Sequence, residues 1–109
     1  MNKLIAITLA LSLSLQAQNL IKVKYRSTPV DIDKQMFKCL KSDSSLVNEA
    51  CHDRSNQYMV INLQGTWYHY CSIPVAEWKA FNSALSLGRY YRKHIRGNFD
   101  CRVGYVPRY

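Results

Sequence analysis

Acidic side chains are scarce in this chain: seven Asp and Glu stand against fifteen Lys and Arg, leaving a formal net charge of +8 over 109 residues. A chain so short of carboxylates is not organised around paired acids, and its excess charge favours polyanionic partners over acid-seeking ones. Long apolar runs are missing as well. The longest uncharged apolar stretch, Leu4 to Leu15, covers about twelve residues where a bilayer-spanning helix needs about twenty. No glycine loop for phosphate, no nucleophile motif and no internal repeat or low-complexity tract occurs. The four cysteines do not form a Cys-x2-Cys knuckle, which removes the commonest zinc signature.

What the N-terminus does hold is a pattern of export. Met1-Asn2-Lys3 gives a short positive region, Leu4 to Leu15 an apolar core, and Leu15-Gln16-Ala17 small residues before a cut, so a secretory signal peptide is expected over residues 1–17. No cysteine sits at the cleavage position, so lipid attachment is not expected. Losing Lys3 with the signal would leave a chain of charge +7. All four cysteines, Cys39, Cys51, Cys71 and Cys101, lie beyond the cut, and an even count in a short exported chain predicts two disulfides. If Cys51 and Cys71 occupy the outer strands of a three-stranded sheet, two strand spacings separate them by ~9.5 Å, beyond the ~7 Å limit for a bridge. Cys39 with Cys51 and Cys71 with Cys101 is then favoured, with Cys39 to Cys101 open for a different strand order. Each bridge should contribute about 2 to 4 kcal/mol.

Along the chain, Ile21, Val23 and Tyr25 alternate with Lys22, Lys24 and Arg26, the period of a half-exposed strand that Thr28-Pro29 ends. Ile32, Met36, Phe37 and Leu40 fall on one helical stripe, and Asp31 and Asp33 suit a first turn, so a short helix is expected over Asp31 to Leu40. Leu46 to His52, Tyr58 to Leu63 and Trp67 to Cys71 read as three strands of an antiparallel meander, turned at Asp53–Gln57 and Gln64–Thr66. A lone small sheet needs a cover. Pro74 suits the start of a helix whose Val75, Trp78, Phe81, Ala84 and Leu85 share one side. A second helix is expected from Ser86 as N-cap, with Leu87, Tyr91 and Ile95 turned to the sheet and Gly97-Asn98 as the stop.

Several residue types in fixed order carry a resemblance over Val47 to Arg96: Tyr68 and Tyr70 two apart, Ile73-Pro74, Ser86-x-Gly88-Arg89, the aromatics Tyr90 and Tyr91, then Lys93-His94-Ile95-Arg96. This stretch resembles the KTSC domain, named for the C-terminus of some lysyl-tRNA synthetases. His52-Asp53 stands where the family usually has Tyr-Asp, the Gln64–Thr66 turn is one residue shorter, and Leu85 replaces a common proline. The resemblance implies an α+β fold of bacterial origin: a small three-stranded antiparallel meander covered on one face by two helices, here with an N-terminal strand and helix extension. The expected division is signal peptide 1–17, extension 18–45, KTSC-like domain 46–101 and basic tail 102–109. RNA is the ligand the resemblance suggests.

From Arg89 to Tyr109 six basic residues (Arg89, Arg92, Lys93, Arg96, Arg102 and Arg108) face one acid, Asp100. Arg89, Arg92, Lys93, His94 and Arg96 are therefore the expected polyanion contacts. Tyr68, Tyr70 and Tyr90 are aromatic surface candidates, since bases stack on such rings while cations hold phosphates; packing under the helices is their other reading. Catalysis would have to come from His52, Asp53, His69, Glu77 or His94, which show no telling spacing, so no enzyme, metal or cofactor is expected. The expected function is a non-enzymatic, periplasmic or secreted binding module for RNA, DNA or an envelope polymer. An envelope protein is the alternative partner, and a small hydrolase or nuclease the remaining one.

Overall fold

The computed structural model describes residues 20–109; the expected signal peptide lies outside them. The elements are β1 (Leu20–Ile21), β2 (Val30–Asp31), β3 (Phe37–Lys41), β4 (Val47–Asp53), β5 (Tyr58–Leu63), β6 (Thr66–Tyr70), α1 (Val75–Asn82) and α2 (Leu87–Tyr90), the last running on into a π-helical turn over Tyr91–Ile95. Strands β3 to β6 form one antiparallel sheet in sequence order, and β1 pairs with β2 in a separate ribbon. The α+β class therefore holds. The meander has four strands where three were expected.

The extra strand replaces the expected helix over Asp31 to Leu40. Phe37 pairs with Asp53, Cys39 with Cys51 and Leu40 with Ala50, so the side chains alternate across the sheet. Phe37 joins the core on one face while Leu40 packs on the other, and Met36 is exposed. The helical stripe was accidental: of its four residues only Phe37 and Leu40 lie in β3, where a separation of three puts them on opposite faces. The Cys39–Cys51 disulfide then ties the edge strand to its neighbour. Cys71 bonds Cys101, and β5 lies between the strand of Cys51 and the end of β6, as the spacing argument required.

The first face of the sheet carries Val47, Ala50, Met59 and Ile61, covered by Trp78 and Phe81 of α1 and by Tyr91 and Ile95 of the π turn. Leu85 departs from the expected stripe. Helix α1 ends at Asn82, so Leu85 falls in the connection and is fully exposed. Ser86 caps α2 as expected, its Oγ accepting from the Arg89 N–H at 3.2 Å. The Arg96 N–H donates to the Tyr91 carbonyl at 2.9 Å, five residues back, and Gly97 at φ 83° ends the run.

The second face is covered too, which the sequence did not announce. Val23, Val30, Phe37, Cys51, Tyr58, Val60 and Cys71 form a second core, with Ile21, Ile32, Trp67 and Val106 against it. The N-terminal arm meets the β6 edge once, in a parallel bridge between Val23 and Trp67. The expected alternation fails at Tyr25, which adopts φ 68° and stands 81 % exposed because the chain turns there. The C-terminal tail crosses the same face. It approaches so closely that a Cβ on Gly104 would lie 2.6 Å from the Cys71 Cβ.

Candidate polyanion face and the groove beside it

Ser86 and the α2–π segment set the direction of the basic side chains. With Tyr91 and Ile95 buried and Leu87 against the core, Arg89, Arg92, Lys93, His94 and Arg96 are left exposed on the outer side. The π turn shifts the register by one residue, so Arg96 follows Ile95 directly as the cap of the helix. Among the described residues the one ion pair is Arg102 with Asp100, at 2.7 Å, and none of these five residues takes part in it. His94 lies against the Tyr90 ring, with centroids 4.4 Å apart.

The three tyrosine candidates fare differently. Tyr70 is half-buried, and its hydroxyl bonds the Tyr91 hydroxyl beneath the helices; burial and that bond push it well above its ordinary value. The Tyr90 O–H donates to Glu77 Oε1 at 2.8 Å, and burial together with that carboxylate raises it to about 12. Tyr68 packs partly on the first core and lines a groove, with Lys24 Nζ 5.6 Å from its ring centre. Two of the three hydroxyls are thus committed inside the fold.

Of the groups weighed for catalysis, His52 and Asp53 are buried and point to opposite faces. His52 Nε2–H donates to the Ile73 carbonyl at 2.8 Å and its ring stacks on Trp78; burial keeps it below the usual imidazole range. Burial pushes the Asp53 carboxyl up, but hydrogen bonds from the Asn56 side chain, the Tyr109 hydroxyl and the Asn56 and Ser55 backbones outweigh it and hold it low. Cys39, Glu49 and Cys51 bring possible ligand atoms within 4.8 Å of one another, yet both sulfurs belong to the disulfide. No helix among the described residues is long and apolar enough to cross a membrane.

A groove of about 590 Å³ runs beside β6, lined by Tyr25, Tyr68, His69, Tyr70, Asp100 and Arg102 among others. Arg26 Nη1 donates to the Tyr58 hydroxyl at 3.3 Å, and that hydroxyl is hydrogen-bonded to His69 Nδ1 at 2.9 Å. Burial and the Arg26 charge both hold the His69 ring below the usual imidazole range, against the pull of Asp100. In the sequence His69 stands as a possible catalytic group or zinc ligand, and the groove is not apparent. The visible signal was the cationic, aromatic Lys24-Tyr25-Arg26, which looked like strand alternation.

Comparison with known proteins bears on residues 43–99, which match the family model described as KTSC domain. No curated protein matches. Among solved structures, a KTSC domain protein from Yersinia pestis is similar at 26 % identity and a TM-score of 0.56, over 59 % of this chain and 92 % of that one.

Proposed function

This chain belongs to the KTSC domain family, and from that premise we propose that it is a small exported binding module, non-enzymatic, that holds a polyanion against its basic helix. The observation that carries the reading is the outer side of the α2–π segment, where Arg89, Arg92, Lys93 and Arg96 are exposed and, among the described residues, take no part in an ion pair. Unpaired surface cations on a fixed helix attract phosphate, sulfate or carboxylate polymers and release their counterions. Two disulfides suit an oxidising compartment and support export.

Binding of the oxidised protein to a labelled single-stranded oligonucleotide and to heparin across a salt series tests it. The expected affinity falls linearly on a log scale. Replacing Arg92, Lys93 and Arg96 together by alanine should lower the slope by about 2 on single strands, at roughly 0.7 per phosphate contact. An unchanged affinity and slope would remove the helix from the interaction.

A further inference from the structure

The edge of β6 contains a gap of one residue. In the β5–β6 ladder Trp67, His69 and Cys71 share one orientation, because hydrogen-bonding direction alternates along an antiparallel strand. At one end the Trp67 carbonyl accepts from the Lys24 N–H at 2.8 Å, and at the other the Cys71 N–H donates to the Phe99 carbonyl at 3.0 Å. Both bonds leave the sheet outward. The N–H and C=O of His69, between them, therefore also point outward, and no backbone partner meets them among the described residues.

The gap has a local cause. Continued in parallel, the arm that bridges Val23 to Trp67 would reach His69 next; the Arg26 N–H instead donates to the Val23 carbonyl at 3.1 Å and Tyr25 takes φ 68°, so the chain turns away. A non-glycine residue in that conformation costs free energy of order 1 kcal/mol or more, and here it keeps an edge open. The groove fills the space the arm vacates, with Tyr25 and Tyr68 as aromatic walls. Its rim is cationic. Lys24 Nζ stands 5.3 and 5.6 Å from those two rings, and the acid that lines the groove, Asp100, is already held by Arg102.

We propose that this groove is a docking site for an extended acidic peptide, which adds to the β6 edge through the N–H and C=O of His69 and lays a carboxylate beside Lys24. An extended residue offers one N–H and one C=O on the same side, the complement of what His69 presents, and strand addition of this kind takes its affinity from the main chain and its selectivity from the flanking side chains. The charge of the rim selects the acidic segment. This site is separate from the outer side of the helix and does not depend on its ligand.

The test is nuclear magnetic resonance of the oxidised, 15N-labelled protein titrated with an N-acetylated, C-amidated hexapeptide of alternating valine and glutamate. The His69 amide should shift saturably and its hydrogen exchange slow by about tenfold or more at saturation. The same peptide with a backbone N-methyl at its centre should lose binding, and one with lysine for glutamate should bind only after the exposed rim residue is reversed by Lys24→Glu. Equal binding of the N-methylated peptide, or no shift at His69 with the acidic one, overturns the proposal. A heparin fragment that moved His69 where the peptide did not would assign the groove to the polyanion and overturn it equally.

Discussion

On one face of the sheet, Trp78, Phe81, Tyr91 and Ile95 all come from the continuous stretch that forms α1, α2 and the π turn. On the other, the cover is assembled from two separated pieces: Val23, Val30 and Ile32 from the N-terminal side, and Cys101 and Val106 from the C-terminal side. The helical cover forms its backbone hydrogen bonds internally and brings large apolar side chains on a fixed stripe. The straps cannot do this, because they touch the sheet at single bridges. They are held by the Cys71–Cys101 disulfide and by Arg26, whose guanidinium lies 5.5 Å from both the Tyr58 and the Tyr109 rings. Tyr109 then donates to the buried Asp53 at 2.8 Å. Periodic burial secures one face, and point attachments secure the other.

Breaking the helical face should have the largest effect. Phe81 is fully buried between Trp78 and Tyr90, with ring centroids 6.1 and 5.8 Å away. Phe81→Ala should cost about 3 to 5 kcal/mol, a large part of what a domain of this size has. Chemical denaturation would show it as a lower midpoint for the whole molecule, with far-ultraviolet and tryptophan signals moving together. A loss confined to α1 would refute the view that this face is the cooperative core.

The straps should respond next, and locally. Replacing Cys71 and Cys101 by serine opens a loop of sequence separation 30 and should cost about 3.5 kcal/mol by loop entropy. Because the Cys71–Cys101 bond anchors the tail and the helices have their own core, hydrogen exchange should accelerate first at 101–109 and at Val23 while the β5 amides stay protected. Uniform acceleration would mean that both covers belong to one folding unit.

The two faces were also unequally legible in the sequence. The 3.6-residue spacing of Val75, Trp78 and Phe81, the Ser86 cap and the Gly97 stop announced the helical cover, since each is a local rule. Leu85 misled because a stripe says nothing of where the helix ends, and α1 stops at Asn82. The back-face straps carry no local rule. Val23 is buried by Trp67, forty-four residues away in sequence, and Tyr25 is exposed by a left-handed turn that no composition rule marks. The expected helix over Asp31 to Leu40 failed for the same reason: only the partner strand β4 gives Phe37 and Cys39 their side of the sheet. The cations of the candidate site were legible as composition and their outward direction followed from the helix stripe, whereas the edge gap at His69 was not, because it arises where two distant segments stop short of each other.

The smallest expected effects separate the faces by pH, using adjacent residues of β4. His52, on the helical face, is held below the ordinary imidazole value by burial, so on acidification the unfolded chain takes up the proton first. Its contribution is present above pH ~6.5 and is lost as pH falls from there, at about 1.4 kcal/mol for each unit of depression. His69, on the back face and lowered by burial and by Arg26, loses stability in the same direction and window. Asp53 is also lowered, so its contribution survives to about pH 4, the usual carboxylate value, and disappears below it. Unfolding midpoints measured from pH 7.5 to 3 should therefore descend in two steps. His52→Gln, which keeps a donor for the Ile73 carbonyl, should flatten only part of the upper step, because His69 supplies the rest. Asp53→Asn should flatten part of the lower step, because Asp100 is lowered as well by Arg102, and should deepen the upper one, because the Asp53 charge favours the protonated His52. If His52→Gln left the upper step unchanged, the ring would have to be titrating freely within the fold, and its stack on Trp78 beneath α1 would not be the buried contact that shapes this face.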